Sequence, residues 1–149
     1  MAEIELHPDF KDLLRLFNSH NVEYLLVGGY AVGYHGYPRA TGDMDVWTRI
    51  SSDNAKKIKD ALREFGMPDE AVKAEFFLEE DKVIRMGIPP VRIEILTGIS
   101  GVLFDECFEH REIAEIDDIA VPLISLTDLK KNKSSAARHK DLEDIEHLP

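Results

Sequence analysis

The sequence predicts an α+β fold, a mixed β-sheet flanked by helices, and three observations carry that prediction. Phe10, Leu13, Leu14 and Phe17 fall at i, i+3, i+4 and i+7, the spacing of one apolar helix face. Glu23 to Val27 reads as a buried strand, too short and too bluntly ended by Gly28-Gly29 to be a helix, and the chain returns as a second strand opening at Asp43-Met44-Asp45. Lys82 to Gly87 and Val91 to Thr97 are strand-like runs joined around Pro89-Pro90, as in a β-hairpin.

The elements follow in order. Pro8 suits a first helical turn, with Asp9 near the positive end of the dipole, so a core-facing helix is expected over residues 8 to 19. Gly28 and Gly29 let backbone N–H groups approach an anion while Tyr30 to His35 begin a helix pointing the same way, which suits a nucleotide phosphate; a plain tight turn is the alternative. His35 reads as a helix-end residue and Trp47 as a packing residue. Ser51 or Ser52 can cap a helix with Ala55, Ile58, Leu62 and Phe65 on one face, stopped by Gly66. Glu70 to Leu78 fits helix or strand. On the second hairpin strand Arg92, Glu94 and Leu96 share one face, and Ile93 and Ile95 the other. Val102 to Phe108 suits a short helix, and Arg111 to Ile116 with Ile119 to Val121 a hairpin turning at Asp117-Asp118, with Pro122 expected at an edge. Ser125 to Leu129 starts a last helical region that Asp141, Leu142, Ile145 and Leu148 close.

A length of 149 residues fits one domain with one core. No apolar run reaches the roughly 18 residues of a membrane span, and the N-terminus lacks a basic start and an apolar signal core, so a cytoplasmic protein is expected. The lone Cys107 sits in an apolar segment and reads as a buried structural thiol. With 29 acidic against 18 basic side chains the formal charge is −11, which disfavours an extensive nucleic-acid footprint.

The chemistry gathers at Asp43 and Asp45. Two apart on a strand, they project to one side, roughly 6 to 7 Å apart at the backbone, with Met44 and Val46 turned to the core. Carboxylates held this close repel each other, each becoming harder to ionise, and a divalent cation relieves the repulsion.

A Gly-Gly corner, a short helix and then Arg39-x-Thr41-x-Asp43-x-Asp45 resembles the nucleotidyltransferase (polymerase beta-like) superfamily, with wording similar to the minimal nucleotidyltransferases and the abortive-infection AbiEii-type toxins. The likeness continues through Ile124 to Leu129, Lys133 and Arg138 to Ile145, and so covers roughly residues 24 to 148. It implies a nucleotidyltransferase-type sheet and transfer of a nucleoside monophosphate from a nucleoside triphosphate, ATP among them, to an acceptor hydroxyl. It also implies a third carboxylate on a neighbouring strand, matched here by Glu94 where Asp is more usual; an Arg92–Glu94 surface pair is the alternative. Asp43, Asp45 and Glu94 would then hold two Mg²⁺ ions, with Mn²⁺ as a substitute, and Glu94 would serve as base. The resemblance gives Arg39 and Thr41 either ligand contact or loop scaffolding. Lys133 is assigned to the nucleotide, whereas Lys130, Lys131, Arg138 and Lys140 read as a solvated face with Arg138–Asp141 and Lys140–Asp144 pairs. tRNA ends, protein hydroxyls and small antibiotics all fit as acceptors, and a homodimer or a helical partner protein would complete so small a site. The rival reading is a catalytically weak nucleotide-binding or regulatory module, such as one half of a toxin–antitoxin pair.

Overall fold

Helix α1 (Pro8–Ser19) begins with proline at its first turn, and the His7 ring accepts the Asp9 N–H at 3.1 Å as its cap. In the computed structural model, which describes residues 5 to 149, its stripe of Phe10, Leu13, Leu14 and Phe17 is at most 1% exposed. Burying each such side chain contributes about 1.5–3 kcal/mol, so tertiary packing rather than helix propensity holds α1 in place. Residues 1 to 4, most of the N-terminus read for an export signal, lie outside the described residues.

The chain continues through β1 (Tyr24–Val27), buried throughout, and helix α2 (Gly28–Tyr34), and returns antiparallel to β1 as β2 (Asp43–Thr48). Helix α3 (Ser52–Phe65) is capped by the Ser51 hydroxyl, which accepts the Asn54 N–H at 3.1 Å, and stops at Gly66 in the left-handed region. Asn54 is itself buried and fully used. Its amide donates to the carbonyls of Glu23 and Arg49 at 3.0 and 2.9 Å and accepts the Glu23 N–H at 2.8 Å, pinning α3 to the ends of β1 and β2.

The ambiguous segment becomes a 3-10 turn at Ala74–Leu78. The hairpin around Pro89-Pro90 forms as β3 (Val83–Met86) and β4 (Arg92–Leu96), and β4 lies parallel to β2. Helix α4 (Phe104–Glu109), a second hairpin of β5 (Glu112–Ile116) and β6 (Ile119–Leu123), and helices α5 (Leu126–Ala136) and α6 (His139–His147) complete the chain. The sheet runs β3-β4-β2-β1-β6-β5 and is mixed, the α+β architecture that the sequence predicts. No helix among the described residues is long and apolar enough to cross a membrane.

Two expectations are corrected. Pro122 is not at an edge, because β6 lies between β1 and β5. It faces Ile113, and β6 meets β1 at the Leu26–Leu123 register, so the parallel ladder avoids the residue without an N–H. In α6, Asp141 and Asp144, expected to pair on a solvated face, are buried, while Leu142 is 48% exposed.

Candidate active site

Register builds the site. The β2–β4 ladder sets Asp43 beside Arg92 and Asp45 beside Glu94, and the β3–β4 ladder sets Arg85 beside Glu94. Side chains of paired residues share a face, so three carboxylates and two guanidinium groups converge on one side of the sheet. The opposite side carries Met44, Val46, Ile93 and Ile95, none more than 3% exposed, in one core with the stripes of α1 and α3. One oxygen from each of Asp43, Asp45 and Glu94 comes within 4.8 Å of the others.

The arginines are not spectators. Arg92 grips Asp43 through Nε and Nη2 at 2.7 and 3.0 Å, and Nη2 also reaches Glu94 at 3.3 Å. Arg85 Nε donates to Glu94 at 3.1 Å. Asp45 has no such partner: its buried Oδ1 finds no hydrogen bond among the described residues. Burial first, then the charges of Glu94 and Asp43, push the Asp45 carboxyl up to about 7. A buried, unsatisfied carboxylate oxygen is costly, and an oxygen-only cluster centred on it fits a divalent ion of the Mg²⁺ type.

Gly28 shapes the site from the first residue of α2, where β1 ends. It sits at φ +68°, and a Cβ there would overlap the Asp45 carboxylate, so only glycine lets Asp45 lie against the β1–α2 corner. A Cβ on Gly29 would come within 2.6 Å of the Thr41 hydroxyl. Thr41 in turn donates to the Asp43 carbonyl at 3.1 Å and closes the turn before β2.

A cavity of about 600 Å³ opens over the triad and reaches Gly28, Gly29, Arg39, Arg138 and Lys140. All the residues expected at the site from sequence therefore border one space, Lys133 among them. Arg39 and Lys133 have their charges engaged elsewhere. Arg39 holds Asp144 at 2.7 and 2.8 Å, and Lys133 lies buried between Asp141 and Asp144 at 3.1 Å each. The Arg138–Asp141 pair forms at 2.7 Å, while Asp144 is taken by Arg39 and Lys133 in place of the expected Lys140.

Sequence reading missed Arg85, although counting outward from the Pro89-Pro90 turn places it opposite Glu94. It named Asp144 only as a surface partner of Lys140, although the i, i+3 spacing from Asp141 sets both carboxylates on one helix face. The buried Cys107 thiol is pushed up to about 12, chiefly by burial, and does not border this cavity.

The fold is shared with solved nucleotidyltransferases. A Thermotoga maritima protein assigned as a nucleotidyltransferase is similar with a TM-score of 0.61, 15% identity, and coverage of 95% of this chain and 93% of its own. ANT(2'')-Ia, solved with adenylyl-2''-tobramycin, is similar with a TM-score of 0.55, 13% identity, and coverage of 92% and 83% respectively. No curated protein matches the chain in sequence. Fold, motif and neighbours together define a nucleotidyltransferase of the superfamily that the Gly-Gly and Asp-x-Asp motifs resemble. Within that superfamily, the profile of the aminoglycoside-2''-adenylyltransferase family matches residues 9–148, and the chain belongs to that family.

Proposed function

We propose that this protein transfers a nucleoside monophosphate, adenylate first among them, from a nucleoside triphosphate to an acceptor hydroxyl, with Asp43, Asp45 and Glu94 holding two Mg²⁺ ions. The observation that carries the reading is the ladder register that brings three carboxylates together around the unpartnered Asp45 Oδ1. When bound, paired ions activate an attacking hydroxyl and neutralise a departing pyrophosphate. The chain's own residues do the rest. Gly28 and Gly29 let the backbone approach the phosphates, and Arg92, Arg138 and Lys140 face the cavity where triphosphate charge would be countered. Arg39 and Thr41 fix the loop beneath them, and Lys133 fixes the α5–α6 corner. Glu94 would take the acceptor hydroxyl's proton. ATP and Mg²⁺ are cytoplasmic supplies, and a second copy or a helical partner would complete the acceptor side.

The family's name gives the first acceptor to try, an aminoglycoside hydroxyl. Incubation with each α-labelled nucleoside triphosphate and Mg²⁺, offering aminoglycosides, tRNA and cell extract in turn, should move label into one acceptor class and none with Asp45→Asn. No transfer and no Mg²⁺-dependent ATP binding would sink the proposal. One observation favours the second reading, a weakly active nucleotide-binding or regulatory module such as half of a toxin–antitoxin pair: arginines already pair with Asp43 and Glu94. That reading expects nucleotide binding without transfer to any acceptor.

A further inference from the structure

We infer that Arg92 is an internal counter-cation that competes with the metal for Asp43 and hands it over when the triphosphate arrives, so that metal and nucleotide bind cooperatively. The inference rests on the metal site proposed above and concerns how that site is loaded. Three features carry it. Arg92 meets Asp43 with the two-pronged geometry that is the strongest form of this pair. An arginine cannot shed its proton, so an ion approaching Asp43 meets a fixed positive charge within hydrogen-bond distance, and Arg92 has to move rather than neutralise. With Arg85 on Glu94 as well, two of the three carboxylates are already compensated by arginine, and Asp45, whose buried Oδ1 accepts no hydrogen bond, pairs with no arginine or lysine among the described residues.

One divalent ion can therefore settle at Asp45 against little opposition, while full loading needs Asp43 released. Arg92 borders the same cavity as Arg138 and Lys140, and a triphosphate seated there offers it a new anionic partner. A site whose competent form is populated only a fraction of the time has its affinity lowered by that fraction. Removing the competing cation should recover it, opposite in sign to the loss expected if Arg92 merely braced the strand.

The test is Mn²⁺ binding to the full chain, followed by the electron paramagnetic resonance of free Mn²⁺, with and without a non-hydrolysable ATP analogue. Wild type should bind Mn²⁺ weakly alone and about ten-fold more tightly with the analogue. Arg92→Gln should bind Mn²⁺ about ten-fold more tightly without nucleotide, gain little from the analogue, and bind the analogue more weakly at saturating Mn²⁺. Arg92→Lys, which keeps the charge but loses the fork, should fall between the two and serves if the glutamine variant does not fold. Mn²⁺ affinity unchanged or weakened in both variants, with binding still lost in Asp45→Asn, overturns the counter-cation role and leaves the metal site standing. Mn²⁺ binding that ignores Asp45→Asn overturns the metal site and this inference together.

Discussion

Arg39, in the loop before β2, and Asp144, in the last helix, are joined by two bonds of 2.7 and 2.8 Å across 105 positions of sequence. Lys133 of α5 extends the pair, reaching both Asp144 and Asp141, and Arg138 closes on Asp141. The network thus ties the loop that presents Asp43 to the helical corner that roofs the cavity. Burial raises the carboxyls of Asp141 and Asp144, but hydrogen bonds from Arg138 and Lys133 to the first, and from Arg39 and Lys133 to the second, outweigh it and hold both low.

Lys133→Met should therefore act on stability. Removing one member of a buried pair costs about 3–5 kcal/mol, and the low end is expected because Asp141 keeps Arg138 and Asp144 keeps Arg39. The sign with pH follows from the lowered carboxyls. Their contribution is present above the unfolded value near 3.9 and is lost as pH falls through the folded values, so wild type and variant should converge in strong acid. Urea denaturation at pH 7 and in acid reads this out. A variant as stable as wild type that has lost nucleotide affinity would make Lys133 a phosphate ligand instead.

Gly28→Ala tests the corner. An L-residue in the left-handed region costs roughly 1–2 kcal/mol, and the added methyl would also displace the Asp45 carboxylate. Mn²⁺ affinity should fall together with stability. Loss of stability alone, with Mn²⁺ bound as in wild type, would reduce Gly28 to a turn residue.

Much of the site was legible because strand geometry is periodic. Asp43 and Asp45 had to share a face, and Arg92 and Glu94 had to share another, whatever the fold. The β2–β4 register that merges those two faces is a long-range fact that no local pattern encodes. The partner choice of Arg92 was hidden for the same reason: Glu94 is near in sequence, yet the strand neighbour, Asp43, holds both prongs of the fork. Helix α6 misled more deeply. Its Arg138–Asp141 and Lys140–Asp144 spacings imitate surface pairs, whereas the cations of Arg39 and Lys133 make it cheaper to bury Asp141 and Asp144.

Nucleotide binding should require a divalent cation and prefer Mg²⁺ or Mn²⁺ to Zn²⁺, because the three candidate ligands are carboxylates that, among the described residues, cluster with no Cys or His. Isothermal titration of an ATP analogue into chelator-treated protein, then into protein with each ion restored, checks the order. Tight binding restored by Zn²⁺ alone would count against a two-Mg²⁺ site.

The crowding of charge at the triad should appear as a pH-dependent gain in stability when Asp45 is replaced by Asn. In the metal-free fold Asp45 is raised to about 7, first by burial and then by Glu94 and Asp43, against an unfolded value near 3.9. A raised carboxyl binds its proton more tightly when folded, so stability falls as pH climbs through this window and the penalty is complete above pH 7. It amounts to at most about 4 kcal/mol, and Asn removes it at nearly constant shape. The variant's advantage over wild type should be small near pH 4, grow through pH 7 and level off above it. Asp43→Asn should behave differently, costing stability at pH 7, because it leaves Arg92 without its fork partner. Urea melts of both variants from pH 4 to pH 9, with and without Mg²⁺, decide the matter. An Asp45→Asn difference that does not change with pH would mean that Asp45 carries no charge penalty in the metal-free fold, and full Mg²⁺-induced stabilisation in the variant would mean that Asp45 does not bind the ion.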